Sequence, residues 1–184
     1  MANIQSLDQA AGLRRLKESH PVRVIAVTGG KGGIGKTNIA VNLAIAMSQA
    51  GKKVMVMDAD LGLGNVDVLL GLHPKANLHH VITGERTLEE IMIAGPGNIK
   101  VIPASSGIQD MAQLDAHTHA GLITAFSELS QDVDVLIIDT AAGISDTVIS
   151  FLRAAQEVLV VVNDEPASVT DAYGGPVLNP LQVI

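Results

Sequence analysis

Five short runs of aliphatic residues alternate along the chain with stretches whose apolar residues recur at helical spacing. The runs predict buried strands at 22–28, 53–58, 98–103, 133–139 and 157–163. The stretches between them predict helices at 36–50, 65–70, 88–93, 119–129 and 145–155. Because alternation of this kind is typical of right-handed crossovers, we expect an α/β fold with a mostly parallel sheet and helices on both faces.

The connection between the first strand and the first helix carries the clearest motif. Residues 30–37 read GKGGIGKT and fit the phosphate-binding pattern G-x-x-x-x-G-K-[ST]. In this pattern, backbone N–H groups and a helix N-terminus surround the phosphates, Lys36 reaches the β- and γ-phosphates, and Thr37 binds Mg²⁺. The alternative is a glycine-rich turn without a ligand. The candidate phosphate-binding residues are Gly30, Lys31, Gly32, Gly33, Ile34, Gly35, Lys36, Thr37 and Asn38.

Three acidic residues stand at the ends of predicted strands. Asp139 closes an apolar strand, where an acid helps to hold Mg²⁺ in phosphate-loop NTPases. Asp58 and Asp60 follow the second strand, and we expect Asp60 to orient or activate a water molecule while Asp58 supports the metal shell. Turn chemistry or helix capping is the alternative for all three. Gly143, just beyond Asp139, offers a backbone N–H to a γ-phosphate.

Composition narrows the class of protein. The chain has 184 residues, 47% of them apolar, with 2 Phe, 1 Tyr and no Trp, which predicts one domain with an aliphatic core. The absence of cysteine excludes disulfides, thiolate zinc sites and cysteine-held iron–sulfur clusters. A net charge of −7 disfavours nonspecific DNA binding. Because no apolar run reaches about 18 residues and no signal peptide is evident, we expect a cytoplasmic protein.

The histidine pairs are weak metal candidates. His79 and His80 are adjacent, and His117 and His119 are two apart. Residues at these spacings do not share a helix face. We therefore expect exposed or capping histidines rather than metal ligands.

Three tracts together resemble one known family. Residues 31–37, 58–67 and 139–143 closely resemble the MinD/ParA class of deviant Walker ATPases. Residues 58–71 and 150–157 look most like its FlhG group of flagellar-number regulators, also called FleN. Residues 8–14, DQAAGLR, match the D-Q-A-x-x-L-R element of that group. The resemblance covers about residues 5–173.

The resemblance implies a P-loop NTPase fold and an ATP-dependent homodimer that hydrolysis dissolves. Lys31 would be the signature lysine that reaches the partner's phosphates, while Lys36 and Thr37 serve their own ATP and Mg²⁺. Asp60 would position the hydrolytic water, with Asp58 and Asp139 near the metal.

The resemblance also implies partners. FlhG-type proteins act on FlhF, a GTPase of the signal-recognition-particle type, and in some bacteria on a flagellar master transcription regulator. The N-terminal element is the part linked to FlhF, which makes Gln9 and Arg14 the expected contact residues. Family members lie at the periphery of the inner membrane.

We divide the chain into an N-terminal arm at 1–20, an ATPase domain at 21–173 and an atypical tail at 174–184. From composition alone the arm is a short helix or a disordered tail, and the resemblance favours a functional role. The tail departs from the family pattern, since Gly174, Gly175 and Pro176 would break the expected helix.

We therefore interpret the fold as incomplete at the C-terminus, without the adenine-contacting segment and the amphipathic membrane helix of the family. Two alternatives stay open. One is a division-site or segregation ATPase of the MinD/ParA type, and the other is a non-hydrolysing ATP-binding scaffold or inactive fragment.

Overall fold

The computed structural model describes residues 22–60, 64–104 and 133–164. Several predictions concern residues outside these ranges: Gln9 and Arg14 in the arm, the His117–His119 pair, the helix at 119–129 and the tail at 174–184. They stay predictions.

A six-stranded sheet forms the centre of the molecule, in the order β3-β4-β2-β5-β1-β6. All neighbouring pairs are parallel except β3 and β4, which are antiparallel. The predicted, mostly parallel sheet is therefore confirmed. The strands are β1 Arg23–Thr28, β2 Val54–Ala59, β3 Ile93–Ala94, β4 Lys100–Ile102, β5 Val135–Thr140 and β6 Glu157–Val160.

Helices cover both faces of this sheet, as predicted. Helix α1 packs Ala40, Val41 and Ala44 against one face, and the opposite face receives residues of α3, α4 and α5, among them Leu78 and Leu152. Each face is built from alternate strand residues, because successive side chains of a strand point to opposite sides. The helices are α1 Lys36–Gln49, α2 Val66–Leu70, α3 Leu78–Ile82, α4 Leu88–Ile91 and α5 Asp146–Ala154.

The predicted helix at 88–93 is wrong at its C-terminal end. Helix α4 ends at Ile91, and Met92 is already extended, with φ −64° and ψ 135°. Ile93 then pairs with Val101 in the antiparallel contact between β3 and β4. The predicted strand at 98–103 is shorter, Lys100–Ile102, since residues 96–98 form a 3₁₀ turn. Pairing at the edge of the sheet thus replaces the last helical turn.

Helix α3 was not predicted, and its capping explains the adjacent histidines. Asn77 is the N-cap residue, and its side chain accepts a hydrogen bond from the N–H of His79 at 3.1 Å. His80 completes a capping box, since its Nδ1 accepts from the N–H of Asn77 at 3.3 Å. The expectation of a capping histidine is confirmed for His80.

The described core is almost entirely aliphatic, as the composition predicts. Phe151 is the only aromatic residue among the buried hydrophobic side chains of the described ranges. Met55 and Met57 on β2 are among its largest fully buried members. Within residues 22–60, 64–104 and 133–164, every helix is too short or too polar to cross a membrane.

Candidate functional site

The carboxyl ends of β1, β2 and β5 meet at one edge of the sheet. Strand β5 lies between the other two, and Asp139 is in register with Val27 on one side and with Asp58 on the other. Parallel strands bring their following loops to the same edge, where α/β proteins bind ligands. The glycine loop and the acidic strand ends are therefore neighbours in space.

A cavity of about 520 Å³ opens between these loops. Its volume is within the range of small-molecule sites. Candidate residues from the glycine loop and from β2 meet here with positions that the sequence did not single out. The lining residues are Gly32, Gly33, Gly35, Lys36, Thr37, Asn38, Asp60, Asn65, Leu69, Thr140, Ala141 and Ala142.

The glycine loop presents its backbone to this cavity. Gly33 and Gly35 have φ angles of 76° and 93°, which residues with a side chain rarely adopt. A Cβ added at either position would meet no atom of the described residues within 4 Å, so among these residues the space beside the two glycines is open. Gly35 is the N-cap residue of α1, and no side chain caps this helix. The first amides of α1 are thus arranged as they are in phosphate-binding loops.

Lys36 is buried at the base of the cavity, only 8% exposed. Its Nζ donates to the backbone carbonyl oxygen of Lys31 at 3.2 Å. Burial lowers the pKa of Lys36, while the nearby carboxylates of Asp139 and Asp60 act in the opposite direction. A buried ammonium close to open space is suited to binding an anion.

Asp139 has an incompletely satisfied carboxylate beside Lys36. It is 2% exposed, and its Oδ1 is buried without a hydrogen-bond partner among the described residues. Burial raises the pKa of Asp139 to about 6, although a hydrogen bond with the Thr37 side chain and the charge of Lys36 lower it. A buried oxygen without a partner calls for an explanation, and a cation or its coordinated water would provide one.

Asp58 is buried next to Asp139 but is occupied by its own loop. Its Oδ2 accepts hydrogen bonds from the N–H groups of Asn65 and Val66 at 2.8 and 3.0 Å, and its Oδ1 accepts from the N–H of Asp60 at 3.1 Å. Burial raises its pKa to about 7, the charge of Asp139 contributes to the rise, and these hydrogen bonds oppose it. Asp58 therefore connects the end of β2 to the start of α2.

Asp60 and the segment after β5 complete the cavity wall. Asp60 is half-buried and lines the cavity. Thr140, Ala141 and Ala142 line it as well, whereas the N–H of Gly143 donates to the carbonyl of Gly29 at 3.3 Å. The structure therefore places three residues before Gly143, rather than Gly143 itself, against the open space.

The predicted loop residues divide into two groups. Gly30, Lys31 and Ile34 lie in the loop but do not line the cavity, and Ile34 packs against the core beside α1. The backbone carbonyl of Lys31 accepts a hydrogen bond from the Nζ of Lys36.

Among the described residues, no cluster of three or more His, Cys, Asp or Glu side chains is arranged to hold a metal. Mg²⁺ often binds with one or two carboxylates plus substrate phosphates, which agrees with this arrangement.

Sequence reasoning missed several residues of the site. Asn65 and Leu69 reach the cavity from α2, a position that depends on tertiary packing. Gly29 precedes the motif, and a Cβ there would lie 2.9 Å from the carbonyl oxygen of Val161. Its place directly after a buried strand is the only sequence signal for this close approach.

Sequence comparison relates the chain to regulators of flagella. It is 59% identical over 161 residues to the antiactivator FleN of Pseudomonas aeruginosa, an alignment that spans 88% of this chain and 58% of FleN. It is 36% identical over 151 residues to the flagellum site-determining protein YlxH of Helicobacter pylori, spanning 82% of this chain and 51% of YlxH. The chain thus spans about half the length of these relatives.

Structure comparison finds cell-division ATPases. The septum site-determining protein MinD of Pyrococcus horikoshii, complexed with Mg-ADP, superposes with a TM-score of 0.71 and 29% identity over 82% of this chain and 61% of that one. A family model described as an AAA domain, AAA_31, matches residues 22–173. The chain therefore belongs to the AAA_31 family and, as its sequence predicts, to the FlhG/FleN group of the MinD/ParA class.

Proposed function

We propose that this chain is an ATP-binding and ATP-hydrolysing switch that controls flagellar number. One observation carries the proposal: Lys36, Thr37 and Asp139 meet beside a cavity whose glycine wall has no side chains to obstruct an anion. The Mg-ADP bound to the similar MinD supports a magnesium nucleotide as the ligand.

The chain's residues fit such a ligand. The amides of the glycine loop and the Nζ of Lys36 would bind the β- and γ-phosphates, and Lys36 would exchange its hydrogen bond to Lys31 for one to phosphate. The Thr37 hydroxyl and the unsatisfied Oδ1 of Asp139 would hold Mg²⁺, directly or through water. When bound, Mg²⁺ neutralises charge on the phosphate oxygens. Asp58, whose oxygens accept three backbone N–H groups, would support this metal shell indirectly by holding the loop.

Hydrolysis requires a group that orients water against the γ-phosphorus, and we assign this role to Asp60. It lines the cavity together with the glycine loop, and its backbone N–H donates to the Oδ1 of Asp58. Its carboxylate would accept a proton from the attacking water as the water oxygen bonds to the γ-phosphorus. The bond between the γ-phosphorus and the β–γ bridging oxygen would break, which releases inorganic phosphate and ADP.

Steady-state ATP hydrolysis by Asp60→Ala tests this assignment. General acid–base groups contribute typically 10²–10⁴-fold, so we expect kcat to fall by about 100-fold while ATP still binds. Asp146→Ala, which removes an exposed carboxylate at the start of α5, is the matched control. Equal kcat values for Asp60→Ala and the unmodified chain would instead support a non-hydrolysing ATP-binding scaffold.

We assign Lys31 to the partner's phosphates in an ATP-dependent homodimer. Its side chain belongs to the glycine loop but does not line its own cavity, which supports a role toward a second copy. Lys31→Ala should keep nucleotide binding and lose the ATP-dependent dimer in light scattering. A dimer that persists in this variant would rule out the role.

Control of flagellar number would then operate through partners of the switch. The antiactivator FleN and the flagellum site-determining YlxH support this direction. We propose an FlhF-type GTPase and a flagellar master transcription regulator as partners, with Gln9 and Arg14 contacting the GTPase.

The variant Gln9→Ala should weaken the stimulation of GTP hydrolysis by FlhF without changing ATP hydrolysis by this chain. Unchanged stimulation would refute the contact.

A further inference from the structure

A second cleft lies at the opposite edge of the sheet from the nucleotide cavity. It has a volume of about 420 Å³ and is formed where α1 ends, β2 and β4 begin and the chain enters β5. Lys52, Lys53 and Lys100 line it together, and no Asp or Glu side chain is among its described lining residues. In a chain of net charge −7, this is a local excess of positive charge.

The cleft has a closed floor and a basic rim. Val54 and Val133 lie beneath the floor and are only 2% and 8% exposed, whereas the three lysines are exposed. Asp134, which follows the lining residue Val133, accepts the backbone N–H of Lys53 at its Oδ2, at 2.8 Å. That carboxylate is thus already engaged with the backbone of the connection before β2.

The polar groups between floor and rim have fixed positions. The hydroxyl of Ser48 donates to the carbonyl of Gly97 at 2.6 Å, which joins the end of α1 to the 3₁₀ turn before β4. Asn98 lies in that turn with a φ of 62° and also lines the cleft. The walls therefore come from several rigid elements rather than from one mobile loop.

We propose that this cleft binds an acidic segment of a partner protein, with the carboxylates of that segment on the lysine rim. The cleft is concave, which fits a peptide better than the flat surface of a membrane. It also lies at the amino edge of the sheet. A partner bound here leaves the nucleotide cavity, and any second copy that docks over it, unobstructed.

Fluorescence anisotropy with a labelled Glu-rich peptide tests the proposal on the full chain saturated with Mg-ADP. Reversal of two rim charges, Lys52→Glu with Lys100→Glu, replaces attraction by repulsion and should raise Kd at least about tenfold. The matched control, Lys75→Glu with Arg153→Glu, makes the same change in net charge at exposed positions elsewhere and should change Kd less than about twofold. Thermal unfolding of both double variants verifies their fold.

Other outcomes are equally informative. Equal weakening by the two double variants would show that only net charge matters and would overturn the proposal. Retention of peptide binding by the rim variant, with loss of its sedimentation with phosphatidylglycerol vesicles, would assign the cleft to a membrane surface instead and also overturn it. Retention of binding by Lys52→Gln with Lys100→Gln would refute the need for the two charges. ATP hydrolysis is read out in parallel, so failure here is distinguishable from failure of the ATPase assignment.

Discussion

Two strand-to-helix connections at the same edge of the sheet differ in what accepts hydrogen bonds from their backbone amides. After β2, the carboxylate of Asp58 accepts three N–H groups, including those of Asn65 and Val66 at the start of α2. After β1, Gly35 begins α1 without any side-chain cap, and the glycine wall faces open space. The connection after β2 receives its acceptor from the chain itself, whereas the connection after β1 leaves its amides available to an anion from outside.

This contrast separates a structural acid from a ligand site. The first amides of a helix need acceptors, and a buried carboxylate provides them permanently. Where no side chain does so and a buried cation such as Lys36 stands nearby, the acceptor is expected to be a ligand. Substitutions after β1 should therefore mainly weaken ligand binding, whereas substitutions after β2 should mainly lower the stability of the fold.

The largest effect is expected from Lys36→Met, which removes the ammonium and keeps the buried stem. Hydrogen bonds to charged groups contribute about 1.5–3 kcal/mol, and we expect Lys36 to reach both the β- and the γ-phosphate, so the Kd for a non-hydrolysable Mg-ATP analogue should rise about 100-fold or more. Isothermal titration calorimetry measures it. The substitution removes a desolvated charge but also its hydrogen bond to Lys31 and its attraction to Asp139, so thermal unfolding without nucleotide is measured beside the titration to verify the fold. A Kd within about threefold of the unmodified value would contradict the assignment of this connection to phosphate.

Asp58→Ala should destabilise the fold more than it weakens nucleotide binding. It leaves the buried N–H of Val66 and its neighbour without an acceptor, at a cost of roughly 1–3 kcal/mol for each group. Urea denaturation gives the free energy of unfolding. Asp134→Ala is the control, because Asp134 also accepts a backbone N–H, from Lys53, but at an exposed position. Equal losses for the two variants would show that burial of Asp58 is irrelevant.

Gly35→Ala and Gly51→Ala compare the two ends of α1 at similar backbone strain. Their φ angles are 93° and 86°, so each substitution should cost about 1–2 kcal/mol of unfolding free energy. Only Gly35 lines the cavity, and only Gly35→Ala should also weaken Mg-ADP binding. If Gly51→Ala weakens binding to the same degree, the effect is loss of stability and not obstruction of the phosphate site.

The connection after β2 should also show a pH dependence of stability without nucleotide. The pKa of Asp58 is about 7 in the folded chain and 3.8 ordinarily, so the folded state holds a proton that the unfolded state releases. The unfolded state binds fewer protons between about pH 4 and 7, and stability should therefore fall as pH rises through that window. Melting temperatures measured across it should follow this direction, and Asp58→Asn should reduce the slope. A slope of opposite sign would exclude a raised pKa.

The sequence predicts the parts of the fold that local pattern controls. Buried β1, β2 and β5 are continuous aliphatic runs, and the acids at their ends are visible without a structure. Parallel strands bring those ends to the same edge of the sheet, which is why a shared site there could be predicted. The strand order that puts Asp58 in register with Asp139 is known only from the structure. The glycine motif could be recognised from the spacing of its residues alone.

Other features depend on contacts that are distant in sequence. Helix α3 is five residues long and is held by its capping box and by Leu78 in the core, so no helical periodicity reveals it. Ile93 fits a helical pattern but pairs with Val101 instead. Leu69 reaches the cavity only because α2 lies beside α1. Tertiary packing decides all three.

The aliphatic core has an optical consequence. With no Trp, one Tyr and two Phe in the whole chain, the protein itself absorbs little near-ultraviolet light, whereas adenine absorbs strongly there. A nucleotide retained through purification would therefore dominate the ultraviolet spectrum. The ultraviolet absorbance of unlabelled protein therefore measures how much of the cavity is occupied by nucleotide.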